Sequence, residues 1–345
     1  MNEGCYISTA GKKKSIRGEK IAHALTLDHL GCSSKSWRYT LYPLKIFFHL
    51  LFRRYDYIIV NNIPAHLVFW CWLASKIRRF IVVVDFVNLW EFAVHSKYPM
   101  LTDLVKRYEN WMYNRIKCGI SINRSLSKIV MSRWHFPVQE IYDAADDTVF
   151  TPAYLAVNII IAVANLRKDE GIDILLESLS LLKKRKVTFH CWIIGDGDEK
   201  RNLESLSKAL ALQDSVEFLG WLSHTQIPDY YRKASIGVIP IRHTSPVALP
   251  IKLFEMLSSG LAVVATDTAA IRSVISHKEN GLLFHPEDKA DLARQLETIL
   301  QKRPLRRSLQ RNARLTVVKN LNWENQVIRL REFIHQLNNQ GETRR

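Results

Sequence analysis

Short apolar runs recur along this chain with room for a helix between most neighbours, and that spacing narrows the fold more than any other feature. The runs cover residues 5–9, 55–61, 80–86 (FIVVVDF) and 119–123 in the first half, and 159–164, 189–194, 215–219, 236–239 and 262–265 in the second. Stretches with helical spacing lie between them, including 19–30, 108–115 and 126–134. Antiparallel strands need only a tight turn, whereas a strand returning parallel to its predecessor needs a crossover of about a dozen residues. The reading is therefore α/β, with parallel sheets covered by helices. At 345 residues and 47% hydrophobic content, the chain is longer than one core usually encloses and too apolar to be disordered. Two domains are expected, at 1–150 and 151–335, with 336–345 as a frayed tail.

In open parallel sheets, ligands sit beyond the carboxyl ends of the strands. One stretch has the chemistry for that place: residues 248–266, ALPIKLFEMLSSGLAVVAT. Pro250, flanked by Leu249 and Ile251, fits the first turn of a helix, where its missing N–H costs nothing and its φ is already helical. The free amides of such a helix end attract phosphate. Lys252 adds a mobile positive charge, and one turn on Glu255 offers two acceptor oxygens of the kind that grip a vicinal diol such as a ribose. Ser258, Ser259 and Gly260 end the helix, and 261–265 reads as a buried strand. On pattern alone, Glu255 fits a solvated helix face equally well, since many α/β proteins contain a helix, a glycine and an apolar strand in that order.

The string P-x-K-L-F-E-x-x-x-x-G-x-x-V-V-A resembles the donor-site signature of the family four glycosyltransferases, retaining enzymes of GT-B architecture. Further stretches are similar to that family in the same order: 141–152 (IYDAADDTVFTP), 159–176, 191–197 (CWIIGDG), 216–221 (VEFLGW), 227–240, 279–284 (ENGLLF) and 322–324 (NWE). The resemblance implies two Rossmann-like domains facing across a cleft, the first binding the acceptor and the second a nucleotide-diphosphate sugar. It implies a hexosyltransferase-type reaction in cell-surface polysaccharide or glycoconjugate biosynthesis, on a glycan or lipid-linked acceptor. Glu255 falls on the family position that binds the ribose, Gly195 and Gly220 on turns after strands, and Trp221 on the loop that touches the base. On the acceptor side the candidates are Gly11, Lys12 and Gly18 in the loop after the first strand, and His95.

Four positions depart from the pattern. The family usually meets the leaving phosphate with an arginine and a lysine where this chain has Asn165 and Glu170, which leaves Arg167, Lys168 and Lys252 to supply the charge. A second glutamate is replaced by Val247. In the first domain, the place where many members carry a histidine near the reacting sugar reads Asp85, Val87 and Asn88, so Asp85 becomes the candidate polar group there, with a structural capping role as the alternative. These departures keep open a non-catalytic, glycosyltransferase-like subunit that binds a nucleotide or a partner enzyme. The expected reaction needs no metal and no cofactor beyond the donor, because protein cations and helix amides receive the departing diphosphate; Asp146-Asp147 and Asp196-Gly197-Asp198 fall on turns.

A net charge of +16, from 49 Lys and Arg against 33 Asp and Glu, fits anionic substrates and an anionic membrane surface. No nucleic-acid recognition motif accompanies it. Residues 1–150 hold 21 Lys and Arg against 12 Asp and Glu, including Lys12 to Lys14. The segment 41–54 (LYPLKIFFHLLFRR) mixes bulky apolar side chains with Lys45, Arg53 and Arg54, and 67–73 (LVFWCWL) adds tryptophans suited to a headgroup boundary. Both stretches read equally well as core-facing helices. Cys5, Cys32, Cys71, Cys118 and Cys191 lack metal-ligand spacing and are expected as buried thiols in a reducing compartment. With no signal-like start and no long apolar run, the expected place is the cytoplasm, at the cytoplasmic face of the membrane.

Overall fold

The structure, a computed structural model, describes residues 4–8, 16–32, 41–63, 65–95, 98–242, 247 and 249–342. It divides into two units, residues 1–143 with 323–345 and residues 144–322, each built on a six-stranded parallel sheet.

The first unit runs β1 (Gly4–Ile7), α1 (Ile16–Leu25), β2 (Asp28–Leu30), α2 (Leu41–Phe52), β3 (Tyr57–Asn61), α3 (Ala65–Arg78), β4 (Ile81–Phe86), α4 (Trp90–His95), α5 (Thr102–Tyr113), β5 (Cys118–Ser121), α6 (Arg124–Trp134) and β6 (Val138–Glu140). Its strand order is β2-β1-β3-β4-β5-β6. Central strands such as Ile58, Ile59 and Val60 are fully buried, as expected for strands covered on both faces, whose β-branched side chains suit the pleat. The expected helix over 19–30 is instead α1 followed by β2. Thr26 turns the chain with a positive φ of 57°, and Cys5 to Ile7 then pair with Asp28 to Leu30.

The second unit runs β7 (Ile159–Val163), α7 (Ile172–Lys184), β8 (His190–Ile194), α8 (Lys200–Ala209), β9 (Val216–Gly220), α9 (Ile227–Lys233), β10 (Ile236–Ile239), α10 (Ile251–Ser258), β11 (Ala262–Thr266), β12 (Leu282–Phe284), α11 (Lys289–Gln301) and α12 (Arg303–Thr316). Its order is β12-β11-β10-β7-β8-β9. The direction of winding reverses between β7 and β10, which pair through Ile160 with Ile236. The crevice at the carboxyl ends of these two strands is where such a sheet binds ligands.

The last helix corrects the expected domain limits. After a π-helical turn, Val317–Leu321, the chain forms α13 (Trp323–Glu342), which belongs to the first unit. Leu330, Phe333 and Ile334 are buried there in a core with Tyr6, Ile21 and Ile120. Gln326 Oε1 accepts from the Tyr142 amide at 2.8 Å, and Arg331 donates to the Ala24 carbonyl at 2.6 Å. An apolar stripe at helical spacing holds the segment in place, so the helix runs through Glu342 where a frayed tail was expected. The first boundary falls at 143/144 rather than 150/151.

Candidate functional site

The carboxyl ends of β7 and β10 are tied together by their own loops. Gly171, at the start of α7, has φ +66°, and a Cβ there would lie 1.9 Å from the Pro240 carbonyl oxygen after β10; only glycine permits both the conformation and the approach. The Arg242 amide donates to the Asp169 carbonyl at 2.9 Å, and the Arg242 guanidinium forks onto Asp173 at 2.6 and 2.9 Å and reaches the Lys168 carbonyl. Gly195, after β8, shows the same economy: its amide donates to the Gly220 carbonyl at 2.8 Å, and a Cβ would lie 1.8 Å from the Ala164 oxygen. Gly220 itself has φ +70° with open space where a Cβ would stand.

Pro250 is the residue before α10, at φ −73° and ψ 135°, one place earlier than the expected first helical turn. The amides of Ile251 and Lys252 therefore open the helix without intrahelical acceptors. Lys252 is not a free cation. Its ammonium pairs with Glu170, with side chains 12% and 14% exposed. Arg167 is likewise taken up, bidentately, by Asp169 at 2.6 and 3.0 Å. Asn165, Lys168 and Trp221 are exposed, with Trp221 at 69%. Leu249 is half-buried and Ile251 exposed. The switch point thus brings together Arg167, Lys168, Lys252 and Glu255, and two of its cations, Arg167 and Lys252, already face carboxylates.

Glu255 lies one turn into α10 and is buried, its Oε1 2.8 Å from His224 Nε2. Because a carboxylate only accepts, the imidazole donates. That bond raises the His224 pKa above its ordinary value against the opposing effect of burial. The His224 ring meets Phe150 edge-on at 5.5 Å, and Phe150 also contacts Tyr231 at 6.0 Å. Burial, and the charge of Glu255, push the Tyr231 hydroxyl far up, and it has no hydrogen-bond partner. At the other end of α10, Arg314 donates to the carbonyls of Phe150, Ser258 and Asp147 at 2.9 to 3.0 Å. His224, Arg242 and Arg314 were not singled out from sequence; a lone histidine in a polar loop and two of many arginines give no signal until the fold pairs them.

In the first unit, Asp85 does not stand free at its strand end. It is fully buried, accepting from Tyr6 Oη at 2.6 Å and from Arg17 Nε and Nη2 at 3.0 Å. Arg17 also reaches the Ile141 carbonyl at 2.8 Å and Asp143 at 3.1 Å. With its oxygens occupied, Asp85 locks α1 to the sheet rather than offering a polar group to a reactant. Gly18, expected on the acceptor side, is instead buried under Tyr6, whose ring would lie 2.5 Å from a Cβ there. His95 ends α4, exposed, with Nδ1 3.2 Å from Thr102 Oγ1. Val87 donates its amide to Asn62 at 3.1 Å. Gly11, Lys12 and the rest of the basic loop lie outside the described residues. The five cysteines are buried and form no disulfide, and burial raises the thiols of Cys5, Cys71, Cys118 and Cys191.

The family model described as "Glycosyl transferases group 1" matches residues 148–316. An uncharacterized glycosyltransferase of Haemophilus influenzae is 28% identical over 170 residues, covering 48% of this chain and 47% of that protein. The chitobiosyldiphosphodolichol beta-mannosyltransferase of Candida albicans is 24% identical over 293 residues, covering 75% and 63%. The chain thus spans less than two thirds of the length of either relative. In fold it is similar to the sucrose-phosphate synthase of Thermosynechococcus elongatus, with a TM-score of 0.79 at 16% identity over 97% of this chain and 99% of that one. It is similar also to Anabaena HepE in complex with UDP and glucose, at 0.74 and 14% identity over 97% and 100%. Residues 148–316 thus carry a match to the group 1 glycosyl transferases, and the two α/β units are those of the GT-B fold.

Proposed function

We propose that this protein is a retaining glycosyltransferase that moves a sugar from a nucleotide-diphosphate sugar to a glycan or lipid-linked acceptor. The observation that carries the reading is Glu255, a carboxylate only 6% exposed, one turn behind the open start of α10 at the switch point of the second sheet. That spacing lets the ribose diol rest on the carboxylate while the diphosphate lies toward the amides of Ile251 and Lys252. As the bond to the anomeric carbon breaks, charge grows on the departing diphosphate, and the helix start and Lys252 receive it. The reading assigns this neutralisation to protein groups alone, so chelation with EDTA is expected to leave transfer unchanged.

A relative named for a chitobiosyldiphosphodolichol acceptor and a surface of the first unit support a lipid-linked acceptor met at an anionic bilayer. The helix α2 has two apolar faces. Tyr42, Pro43, Ile46 and Leu50 are buried, while Leu41, Leu44, Phe48 and Phe52 are 50%, 36%, 51% and 82% exposed at helical spacing. Aromatic contacts continue across α3 and α5, from Phe47 to Trp70 at 5.3 Å and from Phe69 to Trp111 at 5.7 Å. The Arg115 guanidinium lies 4.1 Å from the Trp111 ring centroid. Bulky aromatic groups with basic side chains around them suit a headgroup boundary. Among the described residues no helix is long and apolar enough to cross a membrane.

A thermal-shift panel of nucleotide sugars, followed by product analysis with a lipid-linked acceptor, tests the function, because ligand binding raises stability with occupancy. One cognate donor should raise the melting temperature of wild type, and that of Glu255→Gln by less at the same concentration. A uniform absence of response would remove the reading.

A further inference from the structure

We propose that His224 is a positioning residue for the ribose-holding carboxylate, fixing Glu255 so that its remaining acceptor sites meet the diol; this rests on the reading of Glu255 given above. A glutamate has three rotatable side-chain bonds, and holding it ready for two hydroxyls costs conformational entropy unless a neighbour has already fixed it. His224 supplies that hold. Its Nε2 lies 2.8 Å from Glu255 Oε1, and among the described residues no other side chain makes a hydrogen bond to Glu255. Each carboxylate oxygen has two lone-pair directions, so the imidazole occupies one and leaves room for both hydroxyls.

The loop that presents the histidine is fixed in turn. Gln226 Oε1 accepts from the Ser223 amide at 3.0 Å and from Ser223 Oγ at 2.7 Å, and the Gln226 amide donates back to the Ser223 carbonyl at 2.9 Å. This closed turn follows β9, whose last residue Gly220 is bonded to Gly195 at the end of β8. The imidazole then rests edge-on against Phe150, which Arg314 anchors through its carbonyl at 3.0 Å. His224 is 64% exposed and Glu255 7%, so an exposed donor reaches inward to a buried acceptor. A histidine that merely covered the surface would have no reason to aim its Nε2 there. Tyr231 of α9 also feels the charge of Glu255, and burial keeps its hydroxyl protonated.

Calorimetric titration of UDP, with GDP run alongside, into wild type, His224→Ala, His224→Gln, Glu255→Gln and the His224→Ala/Glu255→Gln double variant tests the assignment. Because His224 is exposed, its variants should fold, which circular dichroism verifies. Losing one hydrogen bond predicts that His224→Ala weakens binding about two- to tenfold. His224→Gln, which keeps an N–H donor at similar reach, should restore affinity to within about twofold. In the Glu255→Gln background, His224→Ala should add no further loss, since its effect passes through the carboxylate. An unchanged affinity of His224→Ala, the same loss in both backgrounds, or no rescue by glutamine would overturn the proposal. Unchanged affinity of Glu255→Gln, or no binding of either nucleotide to wild type, would remove the ribose reading beneath it.

Discussion

Glu170 and Lys252 form an ion pair across the switch point of the second sheet, one from the loop after β7 and the other from the first turn of α10, with side chains 14% and 12% exposed. Where the resemblance to the family implies a lysine this chain has Glu170, and Glu170 holds Lys252 over the helix start in the free protein. A diphosphate arriving at α10 then competes with a carboxylate for that ammonium.

Glu170→Gln should release the competition and tighten UDP binding by up to about tenfold, the order of one charge-assisted bond. Lys252→Ala should lower turnover more than affinity, because the leaving-group charge is greater in the transition state than in the ground state. Titration calorimetry and steady-state rates on the two variants check this. Weaker binding by Glu170→Gln would mean that the carboxylate assists the site rather than restraining its lysine.

His224 should titrate above the ordinary histidine value, because its bond to Glu255 favours the imidazolium. The histidine resonances followed by NMR against pH should show this in wild type and a return toward about 6.5 in Glu255→Gln. The sign for stability follows from the raised folded-state value: the pair stabilises the fold fully below the unfolded histidine pKa and loses that contribution as pH rises through the folded one. A His224 pKa unmoved by Glu255→Gln would contradict the bond.

A second pH effect belongs to the first unit. Glu109 accepts from the amides of Trp90 and Glu91 at 2.9 and 3.1 Å, closing the start of α4, yet burial pushes its carboxyl up to about 7. Its folded pKa exceeds the unfolded value, so stability falls as pH rises from the ordinary glutamate range through about 7. Glu109→Gln should flatten that decline, which amounts to roughly 3 kcal/mol at most. Urea melts at pH 5 and pH 8 measure it, and an equally steep decline in the variant would contradict the assignment.

Asp85→Asn should act on the fold rather than on chemistry. It leaves Arg17, 6% exposed, without its main carboxylate partner, and breaking a buried pair typically costs about 3–5 kcal/mol. Nucleotide affinity, which the proposed function assigns to residues 144–322, should stay at the wild-type value. A variant with wild-type melting temperature and no transfer would restore Asp85 as a reacting group.

The sequence made the second unit the easier to read. β10 lies where its apolar run does, at Ile236–Ile239, and β7, β8, β9 and β11 fall within a residue or two, since buried parallel strands are continuous apolar runs. The short strands Asp28–Leu30 and Val138–Glu140 were missed because DHL and VQE are mostly polar and take their form from neighbours. The extent of α13 depends on a stripe whose partners, Tyr6 and Ile21, lie some 300 residues away, and no local pattern announces that. Glu255 was legible because the motif around it is contiguous. Its partner His224, and the pairing of Glu170 with Lys252, were not, because each joins residues from separate crossovers.

The central claim is that the carboxylate of Glu255 holds the ribose of a nucleotide donor, and titration calorimetry of the cognate nucleoside diphosphate into wild type and Glu255→Gln tests it most directly. Loss of a charge-assisted bond of about 1.5 to 3 kcal/mol predicts roughly tenfold to a hundredfold weaker binding, with an unchanged fold by circular dichroism. Equal affinity in the two proteins would contradict the account.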